Sequence, residues 1–217
     1  MLNVTILVFA AILLAALLYF ESKGRPSAVL PVKTLLSCLF ILTALVQPHP
    51  VARYYLFVLV GLVFCLGGDV FLALPQKKMF LLGLISFLIG HVFYVVAFVA
   101  VAGLNTLTLV GTVLTIGVSL GVYNWLKPNL GSMLVPVIFY IIVISAMLCG
   151  AWSILGEPEL TLSGRLLVFI GALSFYVSDL FVARNRFLKD EFWNRLIGLP
   201  LYYAGQFMIA FSVGVLQ

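Results

Sequence analysis

Charge is what this sequence has least of. Only 9% of its 217 residues are Asp, Glu, Lys or Arg, against about 25% in an ordinary water-soluble domain. With 64% hydrophobic residues and a mean hydropathy of +1.25, that scarcity excludes a soluble fold and leaves a polytopic membrane protein. Histidine is nearly as scarce: there are two, so a three-histidine zinc site is excluded by arithmetic. A site of two aspartates and one histidine is conceivable, but no spacing signals it. The three cysteines, Cys38, Cys65 and Cys149, lie in separate apolar segments without CxxC spacing. They read as small packing residues, with neither a disulfide framework nor a thiolate metal site. No Gly-x-Ser-x-Gly elbow and no phosphate loop occurs.

Long apolar runs take the place of what is missing. A helical span needs roughly 20 apolar residues, and eight such segments can be placed, at 2–20, 29–47, 54–74, 79–104, 106–126, 133–155, 166–183 and 196–216. The first has no Lys or Arg before it and no small-residue cleavage site after it, so it reads as a retained span. The connections are short and several carry Pro, Gly or Asn, such as Gly24-Arg25-Pro26 and Pro128-Asn129-Leu130-Gly131. The expectation is an all-α, single-domain bundle of eight transmembrane helices covering residues 1–217.

The twelve cations then set an orientation. Lys23, Arg25, Lys77, Lys78, Lys127, Arg184, Arg186, Lys189 and Arg195 fall in alternate loops, on one face. The opposite face has Arg53 and Arg165, and Lys33 lies just inside the second span. The positive-inside rule puts the first group in the cytoplasm and both termini on the other side. The cations' partners are lipid headgroups rather than nucleic acid.

Against this background two acidic residues stand out. Gly61 to Leu74 reads GLVFCLGGDVFLAL, with Asp69 inside a segment long enough to cross a bilayer. Gly171 to Ala183 reads GALSFYVSDLFVA, again with a glycine eight residues before the aspartate, Asp179. An ionisable residue at membrane depth is costly and marks a site more often than it serves as a mere link between helices. Both carrying spans run towards the cytoplasm, which places each aspartate on the order of 10 Å from that boundary. The offset of 110 residues (179 minus 69) suggests two parallel four-helix halves with the aspartates facing each other.

Polar residues on neighbouring spans complete the candidate set. His91 and Tyr94 share a helical face on the fourth span, as do Tyr202 and Gln206, with Tyr203, on the eighth. If chain neighbours pack together, His91 and Tyr94 lie near Asp69, and the Tyr/Gln group lies near Asp179. Lys33 either meets a phosphate or snorkels to the headgroups. Two carboxylates close together in a poorly solvated cavity can share one proton, giving a general acid beside a general base. Such a pair suits addition of water across an acid-labile ether. A proton-coupled transporter would use the same pair, and a purely structural role would leave the aspartates as interhelical hydrogen-bond partners.

Taken in order, Gly68-Asp69, Gly90-His91 with Tyr94, Val135-Pro136-Val137 with Tyr140, Ser178-Asp179, and Tyr202-Tyr203 with Gln206 resemble the YhhN/TMEM86 lysoplasmalogenase family over nearly the whole chain. The resemblance implies hydrolysis of the vinyl ether bond of lysoplasmalogens to a fatty aldehyde and glycerophosphoethanolamine or glycerophosphocholine, with a lysophospholipid as substrate; the residues themselves signal no cofactor and no metal site. Asp69 and Asp179 would be the acid and base, in an order left open. Lys33 would hold the phosphate, and His91, Tyr94, Tyr202, Tyr203 and Gln206 would line the substrate. The compact loops suggest a bacterial inner membrane, while an endoplasmic reticulum membrane would satisfy the same physics.

Overall fold

A computed structural model describes residues 1–217, apart from the side chain of Lys77. Lys77, counted above as a loop cation, therefore lies outside the described side chains. The chain is all helical: α1 Leu2–Ser22, α2 Pro26–Val46, α3 Ala52–Leu72, α4 Lys77–Val99, α5 Thr106–Leu126, α6 Leu134–Leu155, α7 Leu162–Phe187 and α8 Phe192–Ser212. Two 3-10 turns, Lys127–Asn129 and Gly131–Met133, join α5 to α6. Helices are what an apolar sequence must form in lipid, where each backbone N–H and C=O needs an internal partner. Most helices have 21 to 23 residues, about 30 Å of rise, which matches the hydrocarbon thickness.

Local chemistry sets the ends. Pro26 opens α2 at its first turn, where a missing N–H costs nothing. Gly24, at φ +58°, turns the chain back from α1, a conformation that favours glycine. At α5, Asn105 and Thr108 form a reciprocal capping box. Asn105 Nδ2 also donates to the Ser153 carbonyl at 2.8 Å, tying α5 to α6.

Among the described residues, seven helices are long and apolar enough to cross a membrane: α1 to α7. The expected eighth, α8, is as long as most of the others but carries Asn194, Arg195, Tyr202, Tyr203 and Gln206. Apolarity is demanded only where a helix meets lipid, and α8 buries most of its second half, including Tyr202, Tyr203, Gly205, Gln206, Phe207, Ile209 and Ala210. By contrast, α5 leaves Leu109, Val113, Leu114, Ile116, Val118 and Leu120 outside.

Packing is closest within two hairpins, α3 on α4 and α7 on α8. Each closes on a glycine pair. A Cβ added to Gly90 would stand 2.9 Å from the Gly61 carbonyl oxygen, and one added to Gly205 would stand 2.7 Å from that of Gly171. Small residues at such crossings let backbones approach. The hairpins are then joined crosswise, α4 against α6 and α8 against α2 and α3. Chain adjacency brings α2 to α3 and α6 to α7, and the crossed joining adds α8 to the first pair.

Candidate active site

Asp69 is near the end of α3, one residue after Gly68, and is 1% exposed. Three donors from two other helices converge on it. Lys33 of α2 places Nζ 3.1 Å from Oδ1. Ser37, one turn on along α2, donates to Oδ2 at 2.6 Å, and Tyr202 of α8 donates to the same oxygen at 2.6 Å. Behind Tyr202 runs a buried chain in which Gln206 Nε2 donates to the Tyr202 hydroxyl at 3.4 Å and Tyr94 donates to Gln206 Oε1 at 2.7 Å. Tyr203 closes the opposite flank, with its hydroxyl 3.5 Å from both Ser37 Oγ and the Lys33 carbonyl oxygen.

Asp179, on α7, is held differently. It is half-buried and has one protein donor among the described residues, Tyr140 of α6, whose hydroxyl lies 2.5 Å from Oδ2. Both carboxylates line one cavity of about 470 Å³. One wall is apolar, with Leu84 and Phe87 of α4, Val122 and Leu126 of α5, and Val137, Ile141 and Ile144 of α6. Gly68 makes this wall possible: a Cβ there would stand 2.5 Å from the Phe87 ring. Phe87 in turn packs edge-on against Tyr202 at 5.8 Å.

The cavity reaches the cation-rich end of the bundle, where Glu21, Arg186, Asp190, Asn194 and Arg195 line it. Arg195 bridges two acids there, with Nε 3.2 Å from Glu21 and Nη2 3.0 Å from Asp190. Arg186 lies over the Phe80 ring at 4.4 Å and has no acidic partner among the described residues. Next to this mouth, hydrogen bonds from Lys189 and then Arg184 hold the Glu191 carboxyl below its ordinary range. These contacts tie the loop between α7 and α8.

The geometry departs from the chain-adjacent pairing expected from sequence. Tyr202 and Gln206 serve Asp69, not Asp179, because α8 packs against α2 and α3. Tyr94 reaches Asp69 only through Gln206 and Tyr202. His91 is fully buried in an aromatic box, its ring centroid 4.5 Å from Phe175 and 5.5 Å from Tyr140. Neither of its ring nitrogens has a hydrogen-bond partner among the described residues, so it meets Asp179's donor by ring contact rather than Asp69 by a polar one. Lys33, 8% exposed, is turned inward to Asp69 instead of outward to the surface.

Some contributors carried weaker signals. Ser37 follows Lys33 by four residues, hence on the same face. Tyr140 belonged to a recognised motif but to no expected contact. Arg195 was counted only among the loop cations, and Glu21 carried no signal of its own. Among the described residues there is no group of three His, Cys, Asp or Glu that could hold a metal ion.

Comparison with known proteins adds independent information. The YhhN family model matches residues 28–213. Lysoplasmalogenase TMEM86A of Bos taurus is 33% identical over 169 residues, covering 76% of this chain and 66% of the relative. The Homo sapiens protein of the same name is 31% identical over 170 residues, with the same coverage. A lysoplasmalogenase of Mycobacterium bovis is 28% identical over 170 residues, covering 76% of this chain and 61% of its own length. The matched region is thus a little under two thirds of each of these relatives. No solved structure matches the chain.

Proposed function

The chain belongs to the YhhN family, and on that basis we propose that it is a membrane-embedded hydrolase cleaving the vinyl ether bond of lysoplasmalogens. The products would be a fatty aldehyde and glycerophosphoethanolamine or glycerophosphocholine. The names of the bovine, human and mycobacterial relatives point to this activity. The single observation that carries it in this chain is a pair of carboxylates on one cavity with unequal partners. Asp69 is held by an ammonium and two hydroxyls, Asp179 by one hydroxyl.

That inequality supports one order of roles. Asp69, with a cation and two further donors, is the standing carboxylate; Asp179, with one neutral donor beside an apolar wall, carries the proton. Asp179 gives its proton to the vinyl carbon next to the one bearing the ether oxygen. The positive charge that results is shared between the adjacent carbon and the oxygen. The Asp69 carboxylate stabilises that cation and takes a proton from the water that attacks it, giving a hemiacetal. Collapse breaks the bond between carbon and glycerol oxygen. Asp69 returns its proton to that oxygen, and the hemiacetal hydroxyl gives its proton to Asp179, so both groups are restored. An oxocarbenium ion is captured readily, so an ion-paired carboxylate suffices. The cationic intermediate parallels glycoside hydrolysis.

Around this pair, Lys33, Ser37 and Tyr202 orient Asp69, while Gln206 and Tyr94 fix the Tyr202 hydroxyl and Tyr203 closes the flank. His91 supports Tyr140 from behind. The alkyl chain lies along the wall formed by α4, α5 and α6. We further read α8 as an eighth span, since it runs beside α7 across the bundle. The cation-rich end then faces the cytoplasm, the termini face away, and the cavity opens inward from a bacterial plasma membrane. Two parallel halves are supported by the matched glycine crossings and by the glycine eight residues before each aspartate.

The test is aldehyde release by detergent-purified protein from alkenyl lysophosphatidylethanolamine. Asp69→Asn and Asp179→Asn, each eluting as a folded species, should lose activity by roughly 10²-fold or more. Undiminished turnover in either variant removes that aspartate from the chemistry.

A further inference from the structure

The mouth of the cavity holds both signs of charge in a particular arrangement. Arg195, in the first turn of α8, sits between Glu21 from the end of α1 and Asp190 from the loop before α8, at 3.2 and 3.0 Å. Arg186, from the last turn of α7, faces the same opening without an acidic partner among the described residues. The other nearby cations are engaged elsewhere: Arg184 and Lys189 pair with Glu191, and Lys33 pairs with Asp69. Asn194 takes a hydrogen bond from Arg184 and donates to Asn185 and to the Lys189 carbonyl oxygen. Among the described residues lining the mouth, the groups left to answer a ligand are Arg186 and the Arg195 cluster with Glu21 and Asp190, two guanidiniums and two carboxylates with no net charge.

We propose that this cluster is a headgroup site selecting a zwitterion whose cation is a primary ammonium, so that ethanolamine lysolipids bind in preference to choline ones. The proposal rests on the reading of the chain as a lysoplasmalogen hydrolase. A phosphodiester entering the mouth meets Arg186 and competes with Asp190 for Arg195, because guanidinium binds phosphate oxygens through paired N–H groups. Asp190 is the partner that yields, since its side chain is 70% exposed against 21% for Glu21. Once released, its carboxylate accepts from the ammonium that follows the phosphate by two carbons, and Glu21 flanks it. The Arg195–Asp190 pair is exchanged for three, Arg186 and Arg195 with the phosphate and Asp190 with the ammonium, and no charge is left over.

Choline fits less well for a structural reason. A quaternary ammonium offers no N–H and is recognised by open aromatic faces. Of the rings lining this mouth, Phe80 is already covered by Arg186 and forms a T-shaped pair with Phe187, itself a lining residue, at 5.8 Å. The site thus offers acceptors where choline needs rings. A headgroup ending in a bare phosphate monoester would set its extra charge against Asp190 and Glu21.

Binding, measured separately from turnover, tests this. The probes are saturated 1-O-alkyl lysophospholipids bearing phosphoethanolamine, phosphocholine or phosphate, which lack the vinyl bond and are not cleaved. Affinities are read by thermophoresis on the detergent-purified full chain. The parent should bind the ethanolamine probe on the order of tenfold tighter than either other probe, the worth of one charge-assisted hydrogen bond. Asp190→Asn, an exposed change that leaves the fold alone, should shrink that margin, and Glu21→Gln with Asp190→Asn should bring the ethanolamine and choline probes within about twofold, one hydrogen bond's worth having been removed. Arg186→Met should weaken all three. Equal binding of ethanolamine and choline by the parent, a preference that survives the double change, or no binding at all overturns the headgroup site. Selective binding without aldehyde release upholds it and overturns the hydrolase instead.

Discussion

Replacing Lys33 by Met isolates the electrostatics of the site. Lys33 and Asp69 lie 3.1 Å apart and are 8% and 1% exposed, so the change strands a carboxylate with only the Ser37 and Tyr202 hydroxyls. Breaking a buried ion pair by removing one partner costs about 3–5 kcal/mol. For a chain of this length that lowers an unfolding midpoint on the order of 10 °C. Asp69→Asn added to Lys33→Met takes away the stranded charge while keeping the shape, so most of the lost stability should return. Turnover should not return, because the amide of Asp69→Asn cannot take the proton from the water that attacks the cationic intermediate. The assay pairs intrinsic-fluorescence melting in detergent with aldehyde release for parent, both single variants and the double variant. A Lys33→Met protein with parental melting and turnover refutes the ion-pair account. A double variant no more stable than Lys33→Met alone refutes the stranded-charge explanation.

Tyr140→Phe removes Asp179's one hydroxyl donor and should lower kcat by roughly tenfold, a charge-assisted hydrogen bond's worth, with little change in KM; steady-state kinetics decide. Gly205→Ala drives a Cβ to 2.7 Å from the Gly171 carbonyl oxygen, whereas Gly117→Ala has nothing within 4 Å. The first should destabilise by about 1–3 kcal/mol and the second should be neutral or stabilising by up to about 1 kcal/mol, read as melting midpoints. Glu191→Gln tests the loop before α8. The Glu191 carboxyl is held low in the folded protein by Lys189 and Arg184, so its stabilisation is complete above the ordinary glutamate range and lost as pH falls through the depressed one. The variant should be less resistant to loop proteolysis than the parent near neutral pH, and equal to it in strong acid.

The helices were legible because lipid leaves a sequence so few choices. The expected span 106–126 coincides with α5, and the others differ by a few residues at their ends. Asp69 and Asp179 could be singled out because charge inside an apolar run is rare. Which residues meet them could not be read the same way. Adjacency along the chain pairs α3 with α4 and α7 with α8, and both hairpins do form. A residue has more than one neighbouring helix, however, and the polar face of α8 turns to α2 and α3. Nothing in a period of 3.6 residues says which neighbour a face will choose. Lys33 was ambiguous for the same reason: a lysine just inside a span can turn out or in, and the choice depends on an aspartate 36 residues later.

That α2–α3 pairing also bears on how the chain is made. Lys33 and Asp69 are each poor passengers for a bilayer, yet they sit on successive helices and neutralise one another. The ribosome delivers the acid shortly after the base, so the newborn protein can shelter both charges with three helices in place. Tyr202 arrives last, on α8, and supplies the remaining hydrogen bond to Asp69. Insertion safety is thus settled early in synthesis, and a finished site only at its end.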